Sequence, residues 1–255
     1  MKQILIVIGL LTSSFVYGQE SHSNDFLNEI KKYDLSDLWT LKEIHFEFEG
    51  DTSVFDRPEP LGYIGNNFQR FYIHFVSIIQ NPSNKLEYFV YGKTRVKNNI
   101  CSFQGLIKVK HCETSDESYT NTKQGLVAGE YEFFEDASQE GTGSIKGKFY
   151  TYFYIDTSNK IRYDALDIVA DGYDNNQFEG TWTSYNSNTS KKCNWGDYRI
   201  PDSQELDCGT GEFMVDDKYV KNGWTSFALA RSYNSTDSNV VEAKKAEEQK
   251  WWLEK

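Results

Sequence analysis

Residues 142–155 read TGSIKGKFYTYFYI. Ile145, Gly147, Phe149, Thr151, Phe153 and Ile155 share one parity, while lysines and the tyrosines Tyr150, Tyr152 and Tyr154 occupy the other. Successive side chains of a strand point to opposite faces, so a period of two marks a strand with one buried face. The same pattern extends outward along the chain. FQRFYIHFVSII (68–79), LEYFVYGKTRV (86–96), SFQGLIKVKH (102–111) and LVAGEYEFFE (126–135) precede it, and KIRYDALDIV (160–169) and FEGTWTSY (178–185) follow. Leu38–Glu49 reads as a first strand, because Ile44, Phe46 and Phe48 alternate with His45, Glu47 and Glu49. The separators are turn-forming: Asn81-Pro82, Asn98-Asn99, Thr114–Gln124, Asp156–Asn159 and Asp171–Asn176. Short connections between successive strands favour an antiparallel meander.

Five strands repeat apolar–x–Gly–x–apolar with the glycine on the apolar face. They are Val90-Gly92-Thr94-Val96, Phe103-Gly105-Ile107-Val109, Val127-Gly129-Tyr131-Phe133, Ile145-Gly147-Phe149 and Phe178-Gly180-Trp182. Glycine weakens a strand, so its recurrence needs a geometric reason: a strongly coiled sheet needs room on its inner face. The expected fold is therefore all-β, a curved meander forming an up-and-down barrel, with a short N-terminal helix and a short C-terminal helix. The 255 residues suit one such domain, and 38% hydrophobic with 16% aromatic content excludes a disordered chain.

Leu38-Trp39-Thr40-Leu41-Lys42-Glu43-Ile44 after a short helix resembles the opening strand of lipocalin-like (calycin) barrels. Gly180-Thr181-Trp182 matches the G-x-W spelling of that family, although far later in the chain, and Asp37 stands where its first-strand glycine belongs. The resemblance implies a calycin-like barrel in which Arg231 packs on the tryptophan. It implies no ligand.

The opening MKQILIVIGLLTSSFVYGQE has Lys2, an apolar run Ile4–Leu11 and small residues up to Gly18. This is the layout of a secretory signal peptide, and residues 1–18 are expected to be removed. The run is too short to span a bilayer. Residues 19–36 are expected to be helical, with Phe26, Leu27, Ile30 and Tyr33 on one face. The barrel domain is expected over 37–232, and a helical tail capped by Asp237 over 233–255. Export, to the periplasm or beyond the cell, permits disulfides. Cys101 and Cys112 flank one strand and lie too far apart to pair. The expected bridges are Cys101–Cys193 and Cys112–Cys208, with Cys101–Cys208 and Cys112–Cys193 the other possibility, tying down an irregular region at 186–223.

That region gathers Trp195, Asp197, Tyr198, Arg199, Asp202, Glu205, Asp207 and Glu212, with Trp182 and Trp224 near its ends. Rings beside carboxylates suit a polar ligand with an apolar face, such as a sugar. The candidate ligand-binding residues are Trp195, Asp197, Tyr198 and Trp224; the competing reading makes the tryptophans core and the acids loop caps. No catalytic residue, metal ligand or cofactor is expected: CxxC, P-loop, Rossmann and G-x-S-x-G signatures are absent and the four histidines are scattered. A net charge of −11 argues against nucleic acid, which demands a basic face. Three functions remain: a non-enzymatic binding protein for an unidentified small molecule or glycan, an extracytoplasmic protein-interaction partner of inhibitor or immunity type, and a carbohydrate-active enzyme using loop carboxylates such as Asp197 and Glu212.

Overall fold

The computed structural model describes residues 23–48, 51–115, 122–232 and 236–253. The expected signal peptide lies outside them. The wall is built from β4 (Leu61–Ile64), β5 (Gln69–Gln80), β6 (Glu87–Val96), β7 (Asn99–Ser115), β8 (Lys123–Glu135), β9 (Gly143–Ile155), β11 (Asn175–Ser184) and β12 (Ser190–Asp197). Each pairs antiparallel with the next, and β12 pairs back onto β4. The eight strands thus form an up-and-down, barrel-like ring. It is thinnest at β4, where only Tyr63 and Ile64 are in register with β5. Four short strands complete the set. β1 (Ser23–Asp25) pairs with β7, β10 (Ile161–Tyr163) pairs with β9, and β2 (Glu43–Phe48) and β3 (Asp51–Asp56) form a separate hairpin. Among the described residues no helix is long and apolar enough to cross a membrane.

The glycine parity of the sequence is the inner parity of the barrel. Gly92 lies opposite Phe75 and Phe103, Gly105 opposite Phe133, and Gly129 opposite Phe149. A Cβ on Gly92 would strike the ring of Phe103, and one on Gly129 the ring of Phe149. Each ring lies over a bare neighbouring backbone, so large side chains fill a narrow barrel without forcing its strands apart. The resulting core stacks Phe178 on Trp195 and Phe149 on Phe178, with Phe103, Phe133, Tyr131 and Phe71 around them.

Four expectations are corrected. Leu38–Thr40 is not strand but part of α1 (Ser36–Thr40), and β2 starts only at Glu43. The neighbours Leu38 and Trp39 are both fully buried, which a strand with one buried face cannot arrange. A turn of helix in the barrel end can. Second, Asn24–Tyr33 is not a helix. It is β1 followed by a 3₁₀ turn at Ile30–Lys32, because β7 runs past the end of β6 and leaves backbone groups that β1 pairs. Third, 186–223 is not loop throughout: β12 lies within it. Fourth, no disulfide forms, and Cys101, Cys193, Cys112 and Cys208 are all free thiols. Cys101 and Cys112 lie on β7 and Cys193 on β12, four steps apart around an eight-strand ring and hence on opposite walls. Cys208 lies outside the barrel, in the loop that bonds to Met214. Burial pushes the Cys101 thiol up to about 11, Cys112 to about 12, and Cys193 well above its ordinary value.

The C-terminal segment lies against the outside of β5. It comprises α2 (Asp217–Tyr219), α3 (Thr225–Ala230), α4 (Ser238–Glu247), capped by Asp237 accepting from Asn239 N–H, and a 3₁₀ turn at Trp251–Leu253. Arg70 of β5 donates both arms of its guanidinium to Glu247 of α4, and Trp252 stacks on His74 at 3.8 Å. A second cluster of Leu61, Tyr63, Phe68, Ile200, Leu206, Phe213, Trp224 and Phe227 packs here. Arg231 lies over Phe227 at 3.5 Å, not on Trp182, so the arginine–tryptophan packing implied by the calycin resemblance is not formed.

Candidate functional site

The two ends of the barrel differ. At the end where β12 finishes, α1 acts as a plug. Trp39 packs edge-on to Tyr88 and Phe149, and its indole N–H donates to Thr151 Oγ1. A buried polar network surrounds it. Asp197 accepts from Arg57 Nε at 3.0 Å and Nη2 at 2.8 Å, from Tyr163 OH at 2.9 Å and from Asn176 Nδ2 at 2.9 Å. Arg57 Nη1 donates to Trp39 O, and Asn176 Nδ2 to Leu38 O, so the network ties α1 to the barrel. A buried carboxylate with both oxygens committed to four donors holds structure in place.

This placement settles the geometry of the residues singled out from sequence. Trp195 is fully buried against Phe178 in the barrel core, and Asp197 is the centre of the plug network. Tyr198 packs edge-on to Tyr173 beside that core. Trp224 lies in the other cluster, where its indole N–H donates to Phe68 O. The four are not brought to one surface. Three of the loop acids are engaged as well, Asp207 with Arg199, Asp202 with Lys192 and Glu205 with Lys218, while Glu212 is exposed.

The opposite end is open. Four connections meet there: residues 65–68, 97–98, 136–142 and 185–189. They surround a cup of about 650 Å³ whose lining includes Ile64, Phe71, Val96, Thr94, Glu135 and Trp182. Glu135 continues the inner parity of Tyr131 and Phe133, so β8 carries its carboxyl into the barrel, where it is 6% exposed. Thr94 Oγ1 donates to Glu135 Oε1 at 2.5 Å, and Trp182 Nε1 and Gly143 N donate to Oε2, both at 2.8 Å. Burial pushes this carboxyl above its ordinary range, although all three donors pull the other way. Trp182 is thereby fixed in orientation at the edge of the cup. Lys191, of the same inward parity on β12, stands over its ring at 5.7 Å.

The cup combines an apolar wall with a few positioned polar groups and an indole held by the Glu135 carboxyl. Its volume lies within the range of about 300–1,000 Å³ usual for small-molecule sites. Sequence reading passed over Glu135, although a carboxylate on the parity of Tyr131 and Phe133 is a legible sign of a polar group aimed inward. Comparison with protein-family models, with curated proteins and with solved structures finds no match to this chain.

Proposed function

We propose that this chain is an exported, non-enzymatic binding protein that takes one small molecule in the cup at the open end of its barrel. The observation that carries the reading is the cup itself, with Trp182 held by the buried Glu135 at its edge. An indole whose orientation is already set by a hydrogen bond loses little conformational entropy on binding, so even a modest apolar contact contributes to affinity. The plug at the other end supports the same reading, because access is then from one side. Export rests on the leader, Lys2 followed by Ile4–Leu11 and Gly18, since the cysteines add no bridge to it.

A second reading, a protein-interaction partner, draws on the exposed residues Val76, Ile79, Phe89 and Tyr91 of β5 and β6. Ile79 lies opposite Phe89, so these two form an apolar patch on the outer wall.

A thermal-shift screen of small amphipathic compounds against the wild type and Val96→Trp separates the two. Val96 lines the cup, and an indole there would fill it. Saturation at about a hundred times Kd stabilises by about 2.7 kcal/mol and raises Tm by several degrees. The cup reading expects hits whose shift Val96→Trp abolishes; shifts of equal size in both proteins would place binding elsewhere.

A further inference from the structure

The charge of the cup opposes that of the chain. The whole sequence has 27 basic against 38 acidic residues. The lining of the cup has three lysines, Lys97, Lys191 and Lys192, against one acid, Glu135. These groups are also sorted by depth. Glu135 is buried and already surrounded by three donors, whereas Lys97 and Lys191 are exposed at the rim. Lys192 is paired with Asp202; among the described residues Lys97 and Lys191 make no ion pair. Lys191 reaches inward over Trp182, where its ammonium keeps company with a π face and leaves its charge available.

We infer that the occupant of the cup is a small organic anion, its flat apolar body against Trp182 and the wall of Ile64, Phe71 and Val96, its anionic group at the rim beside Lys97 and Lys191. The inference rests on the mouth being the binding site. The orientation follows from solvation. An anion at the rim stays hydrated while meeting two ammonium groups, and only the apolar body leaves water. The reverse pose would strip the anion of water against the Glu135 carboxyl, whose three donors are already engaged. Lysine stems add apolar contact of their own without burying charge.

The test uses two fluorescent probes with the same aromatic body, anilinonaphthalene sulfonate and the uncharged phenylnaphthylamine, titrated into the full-length protein. The double variant Lys97→Asn, Lys191→Gln removes both free charges at exposed positions. Asparagine is chosen at 97 because φ there is +54°, a conformation it tolerates. The sulfonate is expected to lose about tenfold in affinity in the double variant while phenylnaphthylamine is unchanged, tenfold being about 1.4 kcal/mol. Raising ionic strength from about 0.01 M to about 1 M, which shortens the screening length from about 30 Å to about 3 Å, should weaken the sulfonate alone. If both probes bind the cup and the double variant changes neither, the anion inference is overturned while the cup stands. If Val96→Trp leaves binding of both probes intact, or neither probe binds the wild type, the cup reading itself fails.

Discussion

Gly147 and Lys146 are adjacent, yet the sheet treats them oppositely. A Cβ on Gly147 would collide with the carbonyl of Glu179 and the backbone of Gly180, whereas Lys146 points outward to pair with Glu132. Gly147→Val should therefore cost about 1–3 kcal/mol of overpacking in a urea melt, and Lys146→Val less than about 0.5 kcal/mol. Equal losses would mean that the register of β9 is wrong. Glu135 supplies a pH test. Its ordinary value is 4.5 and burial raises it in the folded state, so folding favours the protonated form. The stability it contributes is complete below about pH 4.5 and lost as pH rises through the raised value. Melting temperature followed upward from pH 4 should fall less steeply in Glu135→Gln than in the wild type; identical slopes would show that the carboxyl is not desolvated. The thiols give a third check. Three are buried and only Cys208 is exposed, so a thiol reagent near neutral pH should label one cysteine in native protein and four after denaturation. Any disulfide-linked fragment recovered without reduction would contradict the structure. The glycine parity was legible because steric need leaves a mark in composition. The free thiols were not, since which walls face each other depends on how the ring closes.

At the scale of elements, legibility followed burial. β5 to β9 bury one face over much of their length, and β11 does so from Phe178 on, so these sequences alternate and announce themselves. β4 is buried at all four of its positions, and β12 from Cys193 to Asp197, because the barrel core covers one side and the cluster around Trp224 the other. A strand covered on both faces has no alternation to read. For the same reason β12 falls inside the region 186–223 that reads as irregular, and Trp195 and Asp197 read as recognition residues. Arg57 was invisible in a stretch bounded by turn residues, although it joins the hairpin of β2 and β3 to the plug. Asp197→Ala should leave its guanidinium buried without a counter-charge and cost about 3–5 kcal/mol, measured by denaturant unfolding. A loss below about 1 kcal/mol would mean that the network is solvated and the plug loosely held.

For the whole molecule, these parts make, among the described residues, a vessel plugged at one end and open at the other. Inward glycines let an eight-strand ring hold a core of rings, α1 and the Asp197 network shut one end, and the C-terminal helices brace β5 from outside. The wall was foreseeable from periodicity. The difference between its ends was not, because it depends on which loops and helices fold back over which opening. The cup is what remains uncovered, and Glu135, Trp182 and Lys191 meet there from β8, β11 and β12, far apart in sequence. The most direct measurement is a crystal structure of the protein soaked with anilinonaphthalene sulfonate. The account predicts the naphthalene ring against Trp182 and the sulfonate beside Lys97 and Lys191. Density for the probe only on the outer patch of Ile79 and Phe89, with the cup closed over by its loops, would contradict it.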